Sequence, residues 1–444
     1  MSFKIWKAIK IKRIRVPDIL CLRSGSRIES RAKSKLEITM SHSFSNPERG
    51  WDYGLSDEDF IALVVCNQVG EQPTDWQADD LVQYISVAQL REAYRKGLVF
   101  EVQPKGPQEG FEARLTWPAS VAKAAGVVRN VTLKRLQYRR HSDNRTISLR
   151  LTKRGKLLKP LVQEGHTIVA NQILASVVPV RYTIPLSQTL GASDYVAQLG
   201  SSSLSERYAA AKALSYFDAL DVADNLARTV ADSKDHIYVR LEAAASLARR
   251  GDERGFSFIR QSVSTPYLEN RLEAVIVLGE VGTPAAAQIL IDTLRDTEQH
   301  PEIRAGAAWA LGQLRDEAAL EVLIASFDAY EEGIRIEAAR ALAKLAIEFT
   351  PQIVAALPQS EPTKRAGIAW VLSQSAQFTV EQLLNTLVDD DARRWVAYIF
   401  GTQKQSHFVH QLEALRLQDP ELYFAVTVLW QIMSSWVYGL EMYG

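Results

Sequence analysis

Seven arginines recur along the second half of the chain, each opening a run of small and apolar residues. They are Arg207 before YAAAKAL, Arg240 before LEAAASLA, Arg271 before LEAVIVLG, Arg304 before AGAAWALG, Arg335 before IEAARALA, Arg365 before AGIAWVLS and Arg394 before WVAYIFG. Successive intervals are 33, 31, 33, 31, 30 and 29 residues. A guanidinium is planar, always charged and carries five donors, so such a row could hold anions or lock neighbouring segments through partly buried ion pairs. Carboxylates stand just ahead of several: Asp235 before Arg240, Glu302 before Arg304, Glu331 and Glu332 before Arg335, and Asp389 to Asp391 before Arg394. This proximity assigns the seven arginines a structural role inside the repeat.

The fifth residue after each arginine obeys no such rule. It is Lys212, Ala245, Ile276, Trp309, Arg340, Trp370 and Ile399 in turn. On a helix it lies about 100° around from the small residue at the fourth position, so its variation marks a surface that stacking does not dictate. Trp309 and Trp370, with Arg340 between them, form the candidate binding surface. An aromatic and cationic groove of this kind suits a protein partner or a planar ligand.

Other chemistry is sparse. Among the seven histidines there is no HExxH, and His407 and His410 have no nearby carboxylate or cysteine to complete a site, so no metal is expected. Cys21 and Cys66 stand far apart and outside any CxxC, which argues against a disulfide framework or a structural zinc. GxSxG, Walker and GxGxxG patterns are absent. No catalytic residue is assigned, and enzyme activity is not legible from a motif.

The elements that must position the tryptophans are helices. Shorter amphipathic stretches such as Ala286 to Leu294, Ala319 to Phe327 and Val380 to Val388 alternate with the arginine-led runs. Each therefore supplies the other helix of an αα-hairpin. A hairpin that cannot bury its apolar face alone stacks on its neighbours, so self-similarity near 30 residues predicts an α-solenoid. Ala307 and Ala308, Ala338 and Ala339 sit where helices approach closely, and Leu311 and Leu342 where they interlock.

This pattern resembles the HEAT repeat, and more narrowly the short-repeat E/F family of phycobilin lyases and their cyanobacterial relatives, over residues 204–440. The resemblance implies a protein partner, with a phycobiliprotein as the specific expectation. In its catalytic form it implies a bilin held against aromatic surfaces, its propionates met by arginine, with the target cysteine on the phycobiliprotein. Trp309, Arg340 and Trp370 are the residues to which such a role would fall.

The 52 Lys and Arg cancel 52 Asp and Glu, yet the charge is segregated: +8 over 1–39, −6 over 40–99, +10 over 100–160 and −12 over 161–444. Four segments are expected. Residues 1–39 read as a flexible basic leader before Met40. Residues 40–96 read as a helical segment, with helices over 56–69, capped by Ser56, and over 77–96, ending at Gly97. Residues 97–190 read as a β-rich basic domain, because LVFEVQ, FEARLTW, NVTLKRLQ, RTISLRL and QILASVV alternate with period two around a turn at 142–144. Residues 191–444 form the solenoid, closed by a C-terminal capping helix.

Within the β-rich segment, EGHTIVANQILA from Glu164 resembles the hairpin of barrel-sandwich hybrid domains, with Asn171 where a left-handed residue is required. No lysine stands in a modification-type turn, so neither lipoylation nor biotinylation is inferred. A winged helix is the rival reading, using 118–125 and 131–138 as helices and 145–154 as a basic wing. Alternation and β-branching over 131–136 favour strands. The uncharged stretch 422–440 is nearly membrane-spanning in length, but its place after a complete repeat makes it the last solenoid helix, with Leu422, Phe424, Val428, Leu429 and Ile432 facing the preceding repeat.

The sequence thus predicts a mainly α protein: a HEAT-like α-solenoid preceded by a smaller β-rich, barrel-sandwich-like domain with N-terminal helices. Its expected function is that of a protein-interaction scaffold without a cofactor, in phycobilisome-related assembly. The alternative is a bilin lyase, isomerase or bilin-handling factor. Nucleic-acid binding through a winged helix comes third, and neither nucleic acid nor membrane is an expected partner. Cysteine usage and the lack of a secretory h-region point to the cytoplasm.

Overall fold

Runs of β-branched and aromatic residues between Gly, Pro and Asn turns fold the first part of the chain into strands, and the arginine-led repeats fold as helix pairs. The computed structural model describes residues 17–70, 75–103, 112–184, 188–374, 378–402, 415–417, 419–428 and 431. Two compact units divide at Ala219/Leu220: a strand-rich unit from Arg13 to Ala219 and a helical unit from Leu220 onward.

The strand-rich unit contains β1 (Ile19–Leu20), β2 (Arg27–Lys33), β3 (Ile38–His42), β4 (Phe60–Gln68), β5 (Trp76–Ala78), β6 (Gln83–Ser86), β7 (Phe100–Val102), β8 (Ala113–Trp117) and β9 (Ala119–Val121). These are followed by β10 (Gly126–Val131), β11 (Arg135–Arg140), β12 (Thr146–Arg150), β13 (Thr152–Lys153), β14 (Lys156–Leu157), β15 (Lys159–Pro160), β16 (Thr167–Ile168) and β17 (Ile173–Ser176). Sheets form in the orders β1-β2-β4-β5 with β6 also on β4, β12-β11-β10-β16, β15-β17-β9 and β3-β8-β7, with a β13-β14 ribbon. Among the described strands only β2 and β4 pair in parallel. Trp51, Ile61, Leu63, Ile85, Leu115, Trp117, Leu136 and Tyr138 centre the core. Trp117 meets Trp51 edge-on at 5.1 Å and donates from Nε1 to the Leu90 carbonyl at 3.0 Å.

The structure corrects three expectations here. Residues 17–39 are not a flexible leader: β2 lies between β1 and β4, and Arg27 is buried in a two-pronged pair with Asp59 at 2.8 and 2.9 Å. Residues 56–69 are not helical. FIALVVC is a continuous apolar run whose Ile61, Leu63 and Val65 are buried in a central strand, a pattern that periodicity alone does not separate from a buried helix. Ser56 does not cap a helix; its N–H donates to Asp59 at 2.7 Å. The expected helix over 77–96 shortens to α1 (Val87–Arg95), ending ahead of Gly97 at φ 63°.

The β-rich reading of the following segment holds, and β9, β10 and β11 replace the winged helix. NVTLKRLQ is not one strand but the end of β10, a turn and the start of β11. Asn144 and Asn171 take the left-handed conformation, at φ 57° and 62°.

Helices α2 (Ala192–Gln198) and α3 (Leu204–Ala213), which carry the Arg207 repeat, group with the strands rather than with the other repeats. The cause is hydrogen bonding. Tyr195 Oη donates to the Leu22 carbonyl at 2.8 Å, and Arg27 Nη1 donates at 2.7 Å to Ser205 Oγ, which itself donates to the Gly54 carbonyl.

The helical unit comprises α4 (Val222–Ala231), α5 (Ile237–Arg249), α6 (Glu253–Val263), α7 (Leu268–Val281), α8 (Pro284–Arg295), α9 (Pro301–Leu314), α10 (Leu320–Ala325), α11 (Glu332–Gln359), α12 (Pro362–Ser373), α13 (Val380–Leu384) and α14 (Asp390–Thr402). Among the described residues, α4/α5, α6/α7, α8/α9, α10/α11 and α13/α14 are hairpins, and the arginine always opens the second helix. α11 is long and apolar enough to cross a membrane by length and composition. It is two helices joined without a loop, kinked at Phe349 (φ −117°, ψ 26°) just before Pro351, and it packs on α9 and α12. Its first part completes one pair, and its second part begins the next, with α12.

Near the carboxyl end, residues 420–428 are helical, with Leu422 and Val426 buried. Phe424 does not face the preceding repeat as expected but is 70% exposed, because the buried seam takes the i, i+4 pair instead. Leu429, Ile432 and the histidine pair lie outside the described residues.

Candidate protein-interaction surface

The repeat arginines act chiefly on backbone carbonyls. Arg240 Nε donates to Val230 O at 2.9 Å, Arg304 Nε to Leu294 O at 3.0 Å and Arg365 Nε to Leu357 O at 3.1 Å, each in the last turn of the preceding helix. Arg207 donates to Ser201 O, Arg271 to Thr265 O and Arg335 to Ala329 O, each six residues back in the loop after that helix. The two kinds alternate along the chain. Either way a fixed cation satisfies carbonyls that a helix C-terminus leaves open and complements the negative end of its dipole. Carboxylates of the following repeat join in: Glu331 lies 4.0 Å from Arg304, and Asp389 and Asp391 lie 2.7 and 3.3 Å from Arg365. Arg394 is the exposed member, 3.9 Å from Asp391.

These clamps hold the second helices in a constant register. A Cβ at Gly279 would stand 3.1 Å from Ala310 Cβ, and one at Gly312 would stand 2.7 Å from Ala341 Cα. Both contacts set the eighth residue after one arginine against the sixth after the next. The fifth positions of α9, α11 and α12 therefore succeed one another on one side of the stack, at about 8–10 Å per helix.

Exposure at that position changes along the series. Ala245, Ile276 and Ile399 are buried, whereas Lys212 and Trp309 are half-buried, Arg340 is exposed and Trp370 is 38% exposed. Arg340 does not stand free between the tryptophans: its Nη1 donates to Glu337 at 2.6 Å, one turn earlier. Two residues that the sequence reading missed extend the surface. Ile336, 40% exposed, and Ile347, 53% exposed, share one face of α11 with Arg340 and Lys344, at steps of four, four and three. That spacing is present in the sequence, but the alanine-rich register drew attention away from the outer face. Burial, and then the Arg315 guanidinium, hold the Lys344 ammonium below its usual pKa. The result is an apolar strip with cations at its middle. No group of three or more His, Cys, Asp or Glu side chains arranged to hold a metal occurs among the described residues.

Comparison with known proteins agrees with the repeat. Residues 261–343 match the family of HEAT repeats. A human protein, deoxyhypusine hydroxylase, is 30% identical over 100 residues, which are 22% of this chain and 33% of that protein. The chain thus spans about a third of the length of this curated relative. Among solved structures, human deoxyhypusine hydroxylase in complex with glycerol is 18% identical, covering 48% of this chain and 96% of that one at a TM-score of 0.26. The complex of CpcE and CpcF of phycocyanin lyase from Nostoc sp. PCC7120 is 18% identical, covering 56% and 96% at a TM-score of 0.28. Yeast importin-beta is 12% identical, covering 54% and 39% at a TM-score of 0.29.

Proposed function

We propose that this chain is a non-catalytic protein-interaction scaffold that docks its partner on the face formed by Trp309, Arg340 and Trp370, extended by Ile336 and Ile347. One observation carries the reading: the same repeat position is buried at Ala245, Ile276 and Ile399 but, apart from half-buried Lys212 of the first repeat, surfaces across three consecutive second helices, with two tryptophans and an arginine. Tryptophan and arginine are the residue types that dominate binding energy at interfaces. HEAT repeats, matched at 261–343, are scaffolds for protein recognition, which supports the same reading. The test is site-specific photo-cross-linking in the source cell, with the reactive group at 309, 340 or 370 and, as control, at exposed Tyr267. A single shared adduct from the three positions, absent from the control and lost in a Trp309→Ala/Trp370→Ala chain, is the expected result. Equal labelling from all four positions would refute it.

The finer reading takes a phycobiliprotein as the partner, in phycobilisome-related assembly in the cytoplasm, and rests on the repeat resemblance over 204–440. Under the alternative, the same tryptophans hold a bilin, Arg340 meets its propionates, and the chain acts as a lyase, isomerase or chromophore carrier. Co-expression with a bilin pathway separates the two. Visible absorbance on the purified chain, or transfer of the chromophore to an apo-phycobiliprotein, would replace the scaffold reading; a colourless chain that binds the phycobiliprotein supports it.

A further inference from the structure

Three basic side chains of the strand-rich unit converge on one cavity. It has a volume of about 440 Å³ and is lined by Arg31 and Lys33 from β2, Thr39, Met40 and Ser41 from β3, Arg114 from β8, and Trp51. None of the described lining residues is acidic. Arg31 is neutralised from outside the lining by Glu29, at 2.9 Å. Among the described residues, Lys33 places one donor on the Thr39 carbonyl at 2.7 Å and has no carboxylate within ion-pair distance, and the half-buried side chain of Arg114 has no ion pair or hydrogen bond. Strand pairing places Arg114 at the cavity, since β3 and β8 are antiparallel with Ser41 opposite Arg114, and the bond from Lys33 to the Thr39 carbonyl ties β2 to the same strand.

Like charges gathered in a partly desolvated cleft cost stability unless a counter-charge joins them. Burial, then Arg31, then Arg114, hold the Lys33 ammonium below its ordinary pKa, against a smaller opposing pull from Glu37, which is itself paired with Lys35. Elsewhere in this unit the described cations show what neutralisation looks like: Arg27 on Asp59, and Arg91 on Asp52 and Asp57.

We propose that this cavity is a binding site for a small dianion of the phosphate-monoester class. With Glu29 counted, the site carries a net charge of about +2, which a dianion matches. A guanidinium fork and an ammonium suit a tetrahedral oxyanion, with the hydroxyls of Thr39 and Ser41 as neutral donors. The volume exceeds that of phosphate alone and leaves room for a compact organic body beside Met40 and the Trp51 ring, within the size range of small-molecule sites.

The experiment is calorimetric titration of the full chain with inorganic phosphate, phenyl phosphate and succinate, repeated on Arg114→Gln and on Lys33→Met. Phenyl phosphate is expected to bind more tightly than phosphate and succinate, and each substitution to weaken it by about 10- to 100-fold, the worth of one charge-assisted hydrogen bond. Melting in anion-free buffer gives an independent readout. Arg114→Gln should be at least as stable as the parent, because it relieves repulsion and breaks no pair. The proposal is overturned if phenyl phosphate does not bind at millimolar concentration, if Arg114→Gln binds it undiminished, if succinate binds as tightly, or if Arg114→Gln melts well below the parent.

Discussion

Truncating Arg365 removes more than a charge. Its side chain is 7% exposed and makes four kinds of contact: Nε to Leu357 O at 3.1 Å, Nη2 to Pro358 O at 3.2 Å, and Nη1 to Asp389 at 2.7 Å and to Asp391 at 3.3 Å. It thus ties the end of α11 to the start of α14. A hydrogen bond from a charged donor contributes about 1.5–3 kcal/mol, and removing one partner of a buried ion pair costs about 3–5 kcal/mol. Asp389 is 49% exposed, so its share of the pair is screened by solvent, and Arg365→Ala should cost about 2–4 kcal/mol, below the sum of the parts. Arg394 is the internal control: at 76% exposure with one 3.9 Å contact, Arg394→Ala should change stability by no more than about 0.5 kcal/mol. Repeat arrays open in segments, so the measurement is amide hydrogen exchange over 362–402 alongside urea unfolding. Protection in α14 should fall in Arg365→Ala and persist in Arg394→Ala, with Arg365→Lys between them because it keeps charge and loses the fork. Equal costs for the two alanine variants would refute the clamp and return the arginines to the role of solvated surface charges.

Gly312→Ala would place a methyl 2.7 Å from Ala341 Cα and force α9 from α11, lowering stability by about 1–3 kcal/mol in denaturant titration. The Asp389 carboxyl is held low by the Ala392 N–H and then by Arg365, and Asp328 by the Thr363 hydroxyl and then Lys364. A carboxyl whose folded-state pKa is depressed adds stability that is complete above its unfolded value of about 3.9 and is lost as pH falls through the folded value. The urea midpoint of the helical unit should therefore be flat from neutral pH to about 5 and drop on further acidification, and less steeply in Asp389→Asn. A chain beginning at Met40 lacks β1, β2 and the Arg27 partner of Asp59; its near-ultraviolet circular dichroism should show the tryptophan core of the strand-rich unit lost, whereas a dispensable leader would leave it intact.

The solenoid was legible because its signal is redundant. Seven arginines at one period, alanines where helices touch and a larger residue one turn on all specify the same packing. The function of the arginine was less legible: Asp235 and Glu302 stand near it in sequence, but a backbone carbonyl, which every residue has and no sequence displays, takes the bond. The strand-rich unit was harder. A buried strand such as FIALVVC carries no period, and β2, written RIESRAK, reads as a polar tail until Phe60 to Val65 lie beside it. Likewise, Arg31, Lys33 and Arg114 are up to 83 residues apart and show no common motif; β2 and β8, from two different sheets, bring them to one cavity. Of the candidate surface, Trp309, Arg340 and Trp370 were found by asking where repeats disagree, and Ile336 and Ile347 required knowing which face of α11 stays uncovered.

α11 has a mechanical consequence. Where other repeats meet through a loop, with slack to absorb a change of angle, here two successive pairs share one continuous rod, bent once at Phe349. A change of angle between these two pairs therefore falls on the single bend at Phe349 rather than on a loop. Ile336, Arg340, Lys344 and Ile347 are mounted on that rod, and Trp370 on the helix that leaves its far end. A partner bridging them meets a template that has already lost its freedom to splay, and little ordering remains to be done when the two surfaces close.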